Sequence, residues 1–179
     1  MNGPSTGNMR HYKGIEGLGG WLAILQIFLY ISFVPLVLQL LIANSAMHGE
    51  FWPMFAQETS EYFVPEWRDF VRYGVYGSLV QMGALLYVLY LFYGKKRVLP
   101  KIMIGYLVLV FLLNLGDLYL LGRAQEAFSA VGVPEAAAVQ PTETDEQESV
   151  RTFIRSLVGC AIWIPYFLKS ERVENTFVR

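Results

Sequence analysis

Residues 74–121 read GVYGSLVQMGALLYVLYLFYGKKRVLPKIMIGYLVLVFLLNLGDLYLL, and this stretch decides the fold. Two apolar runs, at about 74–94 and about 100–121, flank the basic segment KKRVLPK at 95–101. A hydrocarbon core about 30 Å thick is crossed by roughly 20 mostly apolar residues in a helix. Each run has that length. Gln81 is the only strongly polar interruption of the first, Asn114 and Asp117 those of the second. The stretch predicts a helical hairpin across a bilayer, with its turn on the side where Lys and Arg gather.

Working outward, residues 20–43 (GWLAILQIFLYISFVPLVLQLLIA) form another apolar run, interrupted by Gln26 and Gln39 and expected to kink at Pro35. It is longer than the roughly 7 to 15 apolar residues of a cleaved leader, so an uncleaved anchor is expected. Residues 149–168 form a fourth run, with Arg151 and Arg155 in its first turns. TDEQ at 144–147 fits a capping box in which Thr144 and Gln147 satisfy each other's amides. Pro65 suits a first helical position, so the helix through 74–94 is expected to begin before the apolar run.

The charges give the hairpin its orientation. Arg10 and Lys13 precede the first run, KKRVLPK joins the second and third, and Lys169, Arg172 and Arg179 follow the fourth. The alternate loops are acidic. Residues 44–73 carry Glu50, Glu58, Glu61, Glu66 and Asp69 against Arg68 and Arg72, and residues 122–148 carry six acids against Arg123. An even number of crossings places every basic segment on one side, which is the cytoplasmic one. The expected fold is all-α, a four-helix integral membrane bundle with both termini cytoplasmic. It forms a single membrane domain over 1–179, with spans at about 20–43, 74–94, 100–121 and 149–168 and outer loops at 44–73 and 122–148.

Composition agrees: 54% of the residues are hydrophobic and only 16% charged, against roughly 25% charged in soluble domains. A formal net charge of -1 gives no basic surface for nucleic acid. A lone cysteine, Cys160, and two distant histidines, His11 and His48, supply no metal-ligand cluster, so neither metal nor cofactor is expected. No nucleophile and base at workable spacing is apparent, and the chain is read as no enzyme. Gly14, Gly17, Gly19 and Gly20 lack the spacing of a phosphate loop; with Trp21 they read as an interfacial lead-in to the first span. Gly74, Gly77, Ser78, Gly83, Gly105, Gly116, Gly159 and Ala161 allow helices to approach closely.

Asp117 lies about 9 Å below Arg123 and Arg155 about 6 Å below Arg151, at 1.5 Å per helical residue. Their depths match, and ionised groups inside a bilayer seek partners. The sequence predicts a buried ion pair between Asp117 and Arg155, with Asn114 beside it as a donor. Outside the membrane, HGEFWPMFAQETSEYFVPEW at 48–67 mixes aromatic and acidic residues that can lie on the bilayer, cover the bundle or meet a partner.

GLGGWL at 17–22 and WIPYFLKSERVENTF at 163–177 resemble the two ends of the family called domain of unknown function 2569. The second motif carries most of the likeness, through Trp163, Pro165, Tyr166, Ser170, Arg172, Val173, Thr176 and Phe177. The resemblance implies a small bacterial protein of the cytoplasmic (inner) membrane with four spans, and carries no activity with it. The expected role is a structural or accessory subunit whose partners are the lipid bilayer and a membrane protein or second copy. Ser170, Arg172, Thr176 and Phe177 are expected to form a cytoplasmic docking patch. The alternative is a small proton-linked transporter or channel using Asp117.

Overall fold

A computed structural model describes residues 20–131 and 141–177, all helix or connection with no strand among them. Four long helices dominate: α1 (Trp21–His48), α3 (Pro65–Tyr93), α4 (Leu99–Val131) and α5 (Glu143–Lys169). Two short ones, α2 (Trp52–Ala56) and α6 (Glu171–Thr176), sit at opposite ends. α1 packs on α3, α3 on α4 and α4 on α5, so the long helices stand in a row with α1 and α5 at its edges.

α1, α3 and α4 are each long and apolar enough to cross a membrane. Their outward faces are apolar as well: Ile31 is 61% exposed, Ile42 71% and Leu112 54%. Large aliphatic side chains covering a whole surface have lipid as their natural surroundings. The chain is therefore a membrane protein. α5 is as long, yet its first half carries Glu143, Asp145, Glu146, Glu148, Arg151 and Arg155. Hydropathy alone does not make it a fourth span.

The helices outrun the apolar runs that announce them. α1 continues to His48 because nothing before Gly49 breaks it, and His48 Nδ1 lies 2.8 Å from the Asn44 carbonyl. α4 continues to Val131 because Ala124 and Phe128 still find a core to fill. Pro35 and Pro165 both lie inside continuous helix. The cap of α5 corrects the expectation of Thr144 with Gln147. Thr142 accepts from the Asp145 amide at 3.3 Å, and the Asp145 carboxylate accepts from the Thr142 amide at 2.8 Å.

Two apolar clusters close the ends of the row. At the basic end, Leu22, Leu25, Leu85, Phe92, Leu99, Met103, Trp163, Phe167, Val173 and Phe177 are buried together. At the acidic end, Phe55, Trp67 and Phe128 form a triangle of rings with centroids 5.3 to 6.3 Å apart. The aromatic loop thus covers the bundle. Glu58 holds Arg68 at 2.7 Å, tying the cover to α3, and Glu66 of α3 meets Arg123 of α4 at 3.4 Å.

Small residues serve this packing unevenly. An added Cβ at Gly74 would sit 3.4 Å from Ala43 Cβ, and one at Gly116 would run into the Tyr73 hydroxyl. Gly83, Gly105 and Gly159 have no neighbour within 4 Å of that position, so no close approach depends on them.

Candidate functional site

The first candidate lies between α1, α3 and α4. A cavity of ≈ 20 Å³, room for one water-sized particle, is walled by Gln39, Tyr73, Ser78, Gln81, Asn114 and Asp117. Each has a local reason to be there. Tyr73, Gln81 and Ser78 fall within about 140° of the circumference of α3. Asn114 and Asp117 are one turn apart on α4. Asp117 is 18 residues beyond Leu99 and Gln39 18 beyond Trp21, each about 27 Å up the helix from the basic end. Tyr73 donates to the Leu113 carbonyl at 2.9 Å, which holds its ring across Gly116. Ser78 is 3% exposed, and its hydroxyl oxygen has no hydrogen-bond partner among the described residues.

Asp117 does not pair with Arg155. Its Oδ2 accepts from the Ser149 hydroxyl at 3.1 Å, and no basic group meets its carboxylate among the described residues. Arg155 is exposed. Both depth and direction differ from the expectation: Asp117 stands level with Ser149, and Arg155, six residues further along α5, lies about 9 Å deeper and on another face. Ser149, Phe153 and Cys160 face α4: Phe153 stacks on Phe111 at 5.3 Å, and the Cys160 thiol lies 3.4 Å from the Leu107 carbonyl. Arg151 and Arg155 are each two residues past a residue of that stripe, about 200° round the helix. Asn114 is at the cavity wall, where the sequence placed it beside Asp117.

The second candidate is the junction of the two end motifs. Gly17 and Gly19 lie outside the described residues, whereas Gly20 begins them with φ 61°, a left-handed conformation that disfavours any side chain. A Cβ on Gly20 would stand 2.6 Å from Arg172 Nη1, so the guanidinium lies against this glycine. Trp21 meets Trp163 edge to face at 6.2 Å, and Trp163 meets Tyr166 at 5.7 Å. Ser170 ends α5 and starts α6, turning the chain back under the bundle. There Val173, Thr176 and Phe177 are buried, and Phe177 packs on Phe92 at 5.8 Å. Pro165 is exposed.

This corrects the docking patch expected at residues 170–177. Thr176 and Phe177 face inward and are spent on the chain's own core. The motif is a latch between the N-terminal lead-in and the C-terminal helix. Sequence reading missed the cavity role of Ser78 and Tyr73 and the Ser149 contact to Asp117; their signal was polar side chains recurring at one height on neighbouring helices.

Among the described residues no group of three or more acidic, His or Cys side chains is poised for a metal. Gln26, polar in the first apolar run, donates to the Tyr93 hydroxyl at 2.6 Å and so stands apart from the cavity. No curated protein and no solved structure matches the chain. The two end motifs that meet in the latch fall within residues 15–178, which match the model of a family described as protein of unknown function (DUF2569), and the chain belongs to that family.

Proposed function

We propose that the protein is a four-span, non-enzymatic accessory subunit of a bacterial cytoplasmic-membrane assembly, with both termini cytoplasmic. α5 lies antiparallel along α4 from the Ser149–Asp117 contact to the Cys160–Leu107 contact, which supports its being the fourth crossing. The basic residues at the Lys95–Arg97 turn and at Lys169–Arg172 then share one side, as the cytoplasmic bias of Lys and Arg requires.

The observation that carries the accessory role is Arg155. It is flanked by Phe153, which stacks on Phe111, and Cys160, which reaches Leu107. It therefore stands level with α4 residues about 12 to 18 Å above Leu99, near the middle of a hydrocarbon core about 30 Å thick. It is exposed and makes no ion pair among the described residues. A guanidinium facing lipid at that depth is costly, and a partner helix offering a carboxylate removes the cost.

The test is extraction from native membranes into polymer discs, followed by sizing. The wild type is expected in particles holding more than one protein chain, and Arg155→Gln in particles holding this chain alone. A wild type that is already solitary contradicts the reading.

The Asp117 cavity favours a second reading, proton-linked transport. It requires that Asp117→Asn abolish a proton-coupled flux in reconstituted vesicles. The apolar cluster at the basic end, from Leu22 to Phe177, speaks against a continuous polar path.

A further inference from the structure

We propose that the cavity beside Asp117 is a binding site for a single monovalent metal cation, and that the bound ion ties α1, α3 and α4 together.

The carboxylate is the starting point. Asp117 stands inside a membrane-crossing helix without a basic partner among the described residues, and one hydroxyl donor, Ser149, serves one of its two oxygens. An ionised carboxylate offers about four lone-pair sites. A charge so placed needs a counter-charge or a watered pocket. The adjoining cavity supplies a second and separate demand. Ser78 Oγ, on a different helix and 3% exposed, faces this space with its lone pairs unused.

The donor set selects the ligand. Every polar group named on the wall can present an oxygen: the carboxylate of Asp117, the hydroxyls of Ser78 and Tyr73, and the amides of Asn114, Gln39 and Gln81. Neither a thiolate nor an imidazole is among the lining residues, so the site suits a hard cation and offers nothing to a soft one. Charge then decides the valence. One carboxylate neutralises one positive charge, whereas a divalent ion would leave an excess charge in a low-dielectric setting. The space, ≈ 20 Å³, holds one water-sized particle, which a single desolvated alkali cation matches.

The position says what such an ion does. Gln39 comes from α1, Ser78 from α3, and Asn114 and Asp117 from α4. Ser149 extends the connection to α5. Gln39, on the wall, is exposed and lies toward the acidic end of α1. At the other end the buried leucines and aromatics block passage, so the ion resides and does not traverse. This role is independent of whether the protein joins a larger assembly.

Sodium is the probe. Purified full-length protein in nanodiscs is unfolded thermally, by tryptophan fluorescence, in sodium chloride and in choline chloride at matched ionic strength. Because the ion binds the folded state, Tm is expected to climb with the logarithm of sodium concentration and to stay flat with choline. Asp117→Asn keeps the side chain's shape and removes its charge; its Tm is expected to lose the sodium dependence. Ser78→Ala is expected to shift the sodium response to about tenfold higher concentration, the equivalent of one lost ligand contact. If Asp117→Asn does not fold, the Ser78→Ala shift decides. Equal responses to sodium and choline overturn the proposal. So does a sodium response unaltered in both variants, or a Tm that follows pH while ignoring sodium, which would assign the cavity to a proton.

Discussion

Gly20 and Arg172 are 152 positions apart in sequence and touch at the basic end. Each belongs to a motif readable in the sequence, but nothing in either motif announces that the other is its neighbour. The glycine's reason is conformational: at φ 61° an L side chain is strained, and the flexible Arg172 head can move aside more easily than the backbone. Gly20→Ala is expected to lower stability by about 1–2 kcal/mol, read as a fall in Tm. Arg172→Ala should leave that strain in place, so the double variant stays close to Gly20→Ala plus the loss of one surface contact. Phe177 is the larger test. It is 4% exposed against Phe92, and Phe177→Ala is expected to cost about 3–5 kcal/mol. The neighbouring exposed Glu174→Ala should change stability by less than about 0.5 kcal/mol. A docking residue would give the opposite order, with Phe177→Ala nearly silent in the isolated protein.

At the scale of the element, α5 shows what a sequence discloses and what it withholds. PTETDEQ at 141–147 offers two overlapping caps, Thr142 with Asp145 and Thr144 with Gln147. The structure takes the first, where Asp145 also accepts from the Thr142 hydroxyl at 2.7 Å. A short carboxylate in the first turn closes the box and also complements the helix dipole, which an amide does less well. Thr142→Ala is expected to lower the stability of α5 by about 1 kcal/mol, while Thr144→Ala stays within about 0.5 kcal/mol. Hydrogen exchange at the amides of residues 143–147 separates the two. The buried face was legible too: Ser149, Phe153, Ser156, Cys160, Trp163 and Phe167 recur at spacings of three and four. Counting depth from the helix ends pairs Asp117 with Arg155; the stripe assigns Asp117 to Ser149, leaves Arg155 about 9 Å deeper, and turns both arginines away. Helix ends were least legible, because hydropathy stops at water and backbone hydrogen bonds do not.

For the whole molecule, the apolar runs disclose directly the three helices that are long and apolar enough to cross a membrane. The row order and the two closing clusters were not readable, because they depend on which faces meet across connections of different length. The aromatic cover at the acidic end was visible only as composition; its triangle of Phe55, Trp67 and Phe128 draws on three helices. The same limit hid the cavity, whose wall comes from α1, α3 and α4.

The central claim is that four helices cross and that their basic ends share one face. Single cysteines placed in a Cys160→Ser background at Gln57, Lys96, Glu143 and Asn175, all exposed positions, can be labelled in intact cells with a membrane-impermeant maleimide. The account predicts labelling at 57 and 143 without permeabilisation, and at 96 and 175 only after it. Residues 143 and 175 reacting from the same side would show that α5 does not cross, and would contradict the account.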